Sequence, residues 1–147
     1  MENNLKNLYA HFHKLLNRAI SKEKAPRVLP NGEILYRIEI HVIVAIAENP
    51  EFNLTELSEF LGVTKGAVSQ KVKILIKKQY IEKLKKDNNK EILFKLTPKG
   101  KKIFYGHQEF HKSLNEKIKN NFGNIDSFDF EKIINILKII ESHFETL

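Results

Sequence analysis

Apolar residues recur at helical spacing in several stretches of the chain, and this pattern predicts a mainly helical fold. The repeat over residues 5–20 predicts one amphipathic helix of about five turns, because positions three and four apart share a helix face. Residues 38–47 are almost uniformly apolar apart from Glu39 and His41, so they predict a helix that is buried on most sides. The prolines and the Asn31-Gly32 pair within residues 22–35 predict a loop with a turn between these helices.

Two shorter apolar stripes lie on either side of Gly62. Their members are Leu57, Phe60 and Leu61 in the first stripe and Val68, Val72, Leu75 and Ile76 in the second. This spacing predicts two short helices hinged at Gly62, which is a helix-turn-helix. Thr55 and Thr64 precede the two stripes, and each is predicted to cap its helix with its hydroxyl group.

A β-hairpin is predicted directly after the helix-turn-helix. Residues 81–85 and 92–96 have the pattern of two strands, and the polar stretch 86–90 is predicted as their turn. Thr97-Pro98 then supplies a capping hydroxyl and a residue suited to a first helical turn, so a long helix is predicted from there to residues 121–124. A last helix is predicted from about residue 127. The order of these elements predicts a winged helix, mainly α with a small β-wing.

Short and basic side chains occupy the face of the second helix opposite its apolar stripe. Such side chains reach base edges and phosphates when a helix lies in a major groove of DNA. The residues predicted to contact the major groove are Thr64, Lys65, Gly66, Ser69, Gln70 and Lys73. Those predicted to contact DNA from the tip of the wing are Lys86, Asn88, Asn89 and Lys90.

The charge distribution favours double-stranded DNA as a partner. The formal net charge is +7, and residues 65–102 contain 13 lysines against three acidic residues. A local excess of this size indicates a polyanionic partner, although a solvated lysine face is the alternative. The chain has no cysteine, which excludes disulfides and thiol redox sensing, and no apolar run approaches the length of a membrane span. The sequence therefore predicts a cytoplasmic protein without a membrane partner.

The first and last predicted helices carry more apolar surface than one small domain can cover. This surplus favours a homodimer, formed by a helical dimerisation module of residues 1–35 and 101–147. Residues 36–100 are then the winged helix-turn-helix DNA-binding domain. The alternative is a monomer whose terminal helices fold back on its own core.

Three short motifs carry a resemblance to a known family. They are Leu54-Thr55-Glu56-Leu57, Gly62-Val63-Thr64-Lys65-Gly66-Ala67-Val68-Ser69 and Leu96-Thr97-Pro98-Lys99-Gly100. With the order of elements, they resemble the MarR family of transcriptional regulators over nearly the whole chain. The resemblance implies a homodimer whose two winged helices bind a pseudo-palindromic operator. It also implies an acidic residue and an arginine at the wing tip, where this chain has Asn88 and Lys90, and a glycine where it has Gln79.

Histidines supply a candidate metal site. His107 and His111 are four residues apart, so both project from one face of the long helix, and His41 lies in an apolar helix where an imidazole needs a partner. The pattern is similar to the zinc-dependent AdcR and ZitR branch of the MarR family. That resemblance implies zinc ligands at Glu23, His41, His107 and His111. Glu33 and Glu39 are possible substitutes for Glu23, and nickel, cobalt, copper or ferrous iron also suit these ligand types. Bound metal is then expected to raise DNA affinity; a structural role for the histidines is the alternative.

Other functional classes are also compatible with parts of the pattern. A regulator of the same type that responds to a small aromatic acid is one, with Phe12, Tyr36, Tyr105 and Phe110 available to line a pocket. A non-specific architectural DNA binder is another, since the wing is rich in lysine. An enzyme is not predicted, because the glutamate between His107 and His111 does not directly follow the first histidine, as a zinc hydrolase motif requires.

Overall fold

A computed structural model describes residues 1–85, 92–123 and 126–144, without the side chains of Glu23, Lys85 and Phe144. Helices make up most of these residues, and four short strands form two hairpins. The helices are α1 (Glu2–Glu23), α2 (Arg37–Glu48), α3 (Leu54–Leu61), α4 (Lys65–Lys77), α5 (Pro98–Phe122) and α6 (Ser127–Phe144). The strands are β1 (Arg27–Val28), β2 (Ile34–Leu35), β3 (Ile81–Lys85) and β4 (Ile92–Leu96). This confirms a mainly helical fold with a small β-wing.

Capping side chains determine where the helices of the helix-turn-helix begin. The Thr64 hydroxyl accepts a hydrogen bond from the backbone N–H of Ala67 at 3.2 Å, which confirms the predicted cap of α4. The predicted cap of α3 at Thr55 is wrong. Asn53 caps α3 instead, because its side chain accepts from two backbone N–H groups while the Glu56 carboxylate accepts from the N–H of Asn53 at 2.8 Å.

The apolar stripes form one core beneath the helix-turn-helix and the wing. Leu57 from α3 and Val68, Val72 and Leu75 from α4 are buried. Helix α2 contributes five buried apolar residues and one buried glutamate: Ile40, Val42, Ile43, Ala45, Ile46 and Glu39. Phe60 departs from its predicted stripe: it is exposed and packs edge-to-face on Phe52, with 5.9 Å between ring centroids.

The predicted wing strands have the observed bounds, since β3 pairs with β4 in antiparallel register from Ile81 opposite Leu96 to Lys85 opposite Ile92. The pairing of β1 with β2 was not predicted. It closes the proline-containing segment into a hairpin with two residues in each strand, and Leu35 of this hairpin lies in the core. The first hairpin thereby holds the chain entering α2 against the winged helix.

The chain forms two compact units, Met1–His107 and Gln108–Leu147. The first contains the core described above. In the second, the described part of α6 leaves large apolar side chains exposed, among them Phe130, Ile133, Ile134 and Leu137. Among the described residues, no helix is both long enough and apolar enough to cross a membrane.

Candidate nucleic-acid interface

The outer face of α4 presents most of the side chains that were predicted to contact a major groove. Thr64, Lys65, Gly66, Gln70 and Lys73 are exposed, and Ser69 is half-buried. Lys77, which the sequence analysis did not assign, is also exposed and continues this face by one helical turn. We call α4 the recognition helix. With its N-cap Thr64, its outer face offers one amide, two hydroxyl and three ammonium groups, a set that can donate to base edges and phosphates.

The predicted wing contacts Lys86, Asn88, Asn89 and Lys90 lie outside the described residues. The part of the wing that the structure describes has exposed side chains at Glu82 and Lys95, whose charged groups are 3.2 Å apart. An exposed pair of this kind contributes little to stability and stays hydrated.

The inner face of the recognition helix holds an ion cluster that the sequence analysis missed. Among the described residues, Glu39 in α2 is the one buried charged side chain, with 1% of its surface exposed. Its Oε1 atom lies 3.8 Å from Lys71 Nζ and its Oε2 atom 3.5 Å from Lys78 Nζ. The backbone N–H of Tyr36 also donates to Oε2 at 3.1 Å. These lysines come from α4 and from its C-terminal cap, so the cluster joins the recognition helix to the start of α2.

A second acidic residue extends this cluster to the beginning of α5. Lys99 Nζ donates to Glu33 Oε1 at 2.6 Å and to the carbonyl oxygen of Lys78 at 2.9 Å. The buried Tyr80 hydroxyl donates to the other oxygen of Glu33. Hydrogen bonds from Lys99 and Tyr80 hold the pKa of Glu33 below its ordinary value, while burial and the contact with Glu33 raise the pKa of Tyr80.

The end of the recognition helix is fixed by its own backbone as well. Gln79 has a positive φ of 61°, and the N–H groups of Gln79 and Tyr80 donate to the carbonyls of Ile76 and Leu75, each at 2.9 Å. This is the Schellman arrangement that usually contains glycine. It explains how the helix ends although the glycine implied by the MarR resemblance is absent.

The segment that begins α5 contacts the backbone that ends the recognition helix, at Gln79 and Tyr80. The Thr97 hydroxyl donates to the carbonyl of Gln79 at 2.7 Å and accepts from the N–H of Gly100 at 3.1 Å, which confirms its predicted capping role. A Cβ atom on Gly100 would lie 2.1 Å from the carbonyl oxygen of Tyr80, so only glycine allows this approach. The recognition helix and α5 therefore meet through backbone contacts that leave no room for a side chain.

These contacts distinguish two groups among the lysines of residues 65–102. Lys71, Lys78 and Lys99 contact Glu33 or Glu39, and we call them the internal lysines. Lys65, Lys73 and Lys77 are exposed on the recognition helix, and we call them the outward lysines. The positive charge available to DNA is thus smaller than the 13 lysines of the sequence suggest.

The candidate metal ligands are partly brought together. The rings of His41 in α2 and His107 in α5 lie 5.6 Å apart between centroids, and both side chains are half-buried. His111 is exposed, and Glu23 ends α1 with a side chain outside the described set. Glu33 and Glu39, the possible substitutes, are paired with lysines. Among the side chains that the structure describes, which exclude that of Glu23, no group of three His, Asp or Glu residues is placed to hold a metal ion.

Comparison with known proteins identifies the family of this winged helix. A family model described as a winged helix DNA-binding domain matches residues 38–118, more than half of the chain. The chain belongs to this winged helix DNA-binding domain family. The matched residues include the recognition helix, the wing and the first part of α5.

Curated relatives of the chain include transcriptional regulators of Bacillus subtilis. The chain is 34% identical over 109 residues to the HTH-type transcriptional regulator PchR of Bacillus subtilis, a match that covers 74% of this chain and 63% of PchR. It spans only 54% to 63% of the length of the curated relatives that it matches.

Solved structures define the fold over nearly the whole chain. One is FabT of Streptococcus pneumoniae in complex with DNA, with a TM-score of 0.70, 23% identity, and coverage of 97% of this chain and 98% of FabT. Another is ZitR of Lactococcus lactis, a zinc-responsive MarR family member, with a TM-score of 0.67, 18% identity, and coverage of 95% and 99%. The fold is therefore that of MarR-type winged helix proteins.

Proposed function

We propose that this protein is a homodimeric transcriptional regulator that binds a pseudo-palindromic DNA operator. The observation that carries the proposal is the recognition helix, which buries one face in the core and presents an amide and three outward lysines on the other. Membership of the winged helix DNA-binding domain family supports DNA as the ligand. The relative PchR is named as a transcriptional regulator, and FabT has a structure with DNA.

Exposed apolar residues support the dimer. Large apolar side chains remain exposed along α1 and along the described part of α6, including Leu15, Ile20, Ile133 and Leu137. Surfaces of this kind usually become buried when copies of a chain associate. Two copies of the recognition helix can then contact successive major grooves, about 34 Å apart.

Alanine substitutions on the recognition helix test the DNA-binding proposal. The operator is first obtained by selecting bound fragments from a random DNA pool. Gln70→Ala is expected to cost about 1 to 3 kcal/mol on the selected operator and little on random DNA, because a glutamine amide discriminates adenine through two hydrogen bonds. Lys73→Ala is expected to weaken both complexes similarly and to reduce the salt dependence of binding, because it contacts phosphate. Affinities are measured by fluorescence anisotropy at several salt concentrations.

Two results of that experiment would contradict the proposal. If no sequence is enriched from the random pool, the protein is an architectural DNA binder without an operator. If Gln70→Ala loses the same affinity on operator and random DNA, the recognition helix does not read bases.

We also propose that zinc regulates this DNA binding, with Glu23, His41, His107 and His111 as its ligands. The adjacent rings of His41 and His107 support two of the four positions, and the sequence spacing and the MarR resemblance support the others. Three imidazoles and one carboxylate suit tetrahedral zinc. Bound zinc supplies binding free energy that favours the conformation holding its ligands together, and DNA affinity rises if that conformation is the one that binds the operator.

Zinc titration tests this second proposal. Protein freed of metal by a chelator is expected to bind the operator about 5- to 150-fold more tightly after zinc is added, the usual range of coupling between two sites. A double variant, His107→Ala with His111→Ala, is expected to lose bound zinc and this response. A second double variant, His11→Ala with His13→Ala, removes two histidines outside the proposed set and is expected to retain both. Unchanged operator affinity on adding zinc would refute zinc regulation.

A second effector class has its own supporting observation. A groove of about 460 Å³ in the first unit combines an apolar floor with three cationic side chains. It is lined by Phe12, Leu15, Leu16, Arg18, Ala19, Lys22 and Arg37. Aromatic carboxylates fit such a lining, because the ring contacts the apolar floor and the carboxylate pairs with guanidinium groups. A protein that ignores zinc and changes its operator affinity when an aromatic carboxylate is added would favour this effector over the metal.

A further inference from the structure

Glu39 contacts the recognition helix at two points along its length. Lys71 and Lys78 are seven residues apart, which is about two helical turns or roughly 10 Å along the helix axis. Both ammonium groups face the same carboxylate, one at each oxygen. A buried carboxylate held in the first turn of α2 therefore limits both the rotation of the recognition helix and its sliding along its axis.

The direction of Lys71 determines the direction of its neighbours. Successive residues on a helix are rotated by about 100°, so turning Lys71 inward turns Gln70 and Lys73 outward. Both of these side chains are exposed. The apolar contacts of Val68, Val72 and Leu75 also hold the helix to the core, but such contacts depend weakly on direction. The two ion pairs add an attraction that joins one carboxylate to two positions two turns apart, so rotating or sliding the helix would lengthen at least one of them.

We propose that Glu39 is a positioning residue that determines the sequence specificity of DNA binding. It acts through Lys71 and Lys78, which hold the recognition helix in the orientation from which Gln70 reaches a base edge. This inference rests on the proposed function, since it requires an operator that is preferred over random DNA. It assigns to a buried carboxylate a role in base recognition without any contact to DNA.

The substitution Glu39→Gln tests the role with little change in shape. It is expected to lower the ratio of operator to random-DNA affinity about tenfold, equivalent to losing roughly one base contact. Glu82→Gln is the matched control, because it removes the same charge from an exposed glutamate that is also paired with a lysine. It is expected to change both affinities together and to leave their ratio unchanged.

A second pair of variants changes the lysine side of the cluster, at the end of the recognition helix. Lys78→Gln removes one of the two lysine contacts to Glu39, together with the hydrogen bond from Lys78 Nζ to the Ile34 carbonyl at 2.7 Å. Lys77→Gln removes an exposed lysine at the neighbouring position. Lys78→Gln is expected to lower the affinity ratio, and Lys77→Gln is expected to weaken both complexes equally. Circular dichroism establishes that each variant is folded at the temperature of the binding assay. Because Lys78 is one-third exposed, its variant decides the question if Glu39→Gln does not fold.

The outcomes separate this inference from the proposed function. A wild-type protein without operator preference would refute the proposed function itself. Operator preference in the wild type, with an unchanged affinity ratio in folded Glu39→Gln or Lys78→Gln, would refute the positioning role alone. Equal losses on both DNAs, matching those of the control variants, would refute it too, since they would reflect charge and not orientation.

Discussion

Gln79 adopts a left-handed backbone conformation at the end of the recognition helix. This conformation costs most residues about 1 to 2 kcal/mol, whereas glycine adopts it freely. Gln79→Gly is therefore expected to raise the free energy of unfolding by about 0.5 to 1 kcal/mol, after allowing for the greater freedom of glycine in the unfolded chain. The measurement is urea denaturation at one protein concentration.

Gln70 provides a matched control for that substitution. It is exposed and lies inside the recognition helix, where glycine is expected to cost about 1 kcal/mol. The same change should therefore have opposite signs at positions 70 and 79. A loss of stability at both positions would show that the Gln79 side chain contributes more than its backbone conformation costs.

At the scale of residues, a helix cap could be predicted where its signal lies close to it in the sequence. Thr64 and Thr97 cap their helices as predicted, because the capping signal lies within three residues along the chain. The prediction at Thr55 was wrong although the correct signal was present, since Asn53 and Glu56 have the spacing of a capping box. The ending at Gln79 had no local signal. Tyr80, which directly follows, is buried, and its N–H donates to the carbonyl of Leu75 across this turn.

The start of α5 packs more closely on the end of the recognition helix than any side chain at position 100 would permit. Gly100→Ala is expected to destabilise the protein by about 1 to 3 kcal/mol, because its Cβ would overlap the backbone carbonyl of Tyr80. Gly106→Ala on the same helix meets no atom within 4 Å and is expected to stabilise it by up to about 1 kcal/mol. Thermal unfolding of both variants provides the comparison, and a Gly100→Ala variant as stable as the wild type would contradict the structure at this junction.

At the scale of elements, periodicity predicted the helices and wing strands well, because apolar residues recur at regular spacing in each, whether or not that face is buried in this chain. It could not predict the contact of Glu39 with Lys71 and Lys78, which are more than 30 residues away in the sequence. A carboxylate within an apolar helix was the available signal for an internal partner. The same limit applies to Glu33 and Lys99, which are 66 residues apart.

At the scale of the whole molecule, the exposed apolar residues of the terminal helices support the proposed dimer, and the charge distribution supports its proposed binding to DNA. Each of the two units exposes apolar residues that a partner copy would cover. If the protein is an obligate dimer, its apparent stability depends on protein concentration, so the variants above are compared at equal concentration. The dimerisation module predicted for residues 1–35 and 101–147 remains a prediction.

The internal and outward lysines are also expected to differ in how fast their amines react with acylating reagents. An amine that is held by a carboxylate and partly covered reacts more slowly with an acylating reagent than a hydrated one, because the reagent must reach its nitrogen. The outward lysines are consequently expected to be acetylated faster than the internal lysines. Acetylation there would cancel attraction to phosphate while leaving the charges around Glu39 intact, so DNA could be released without loosening the fold.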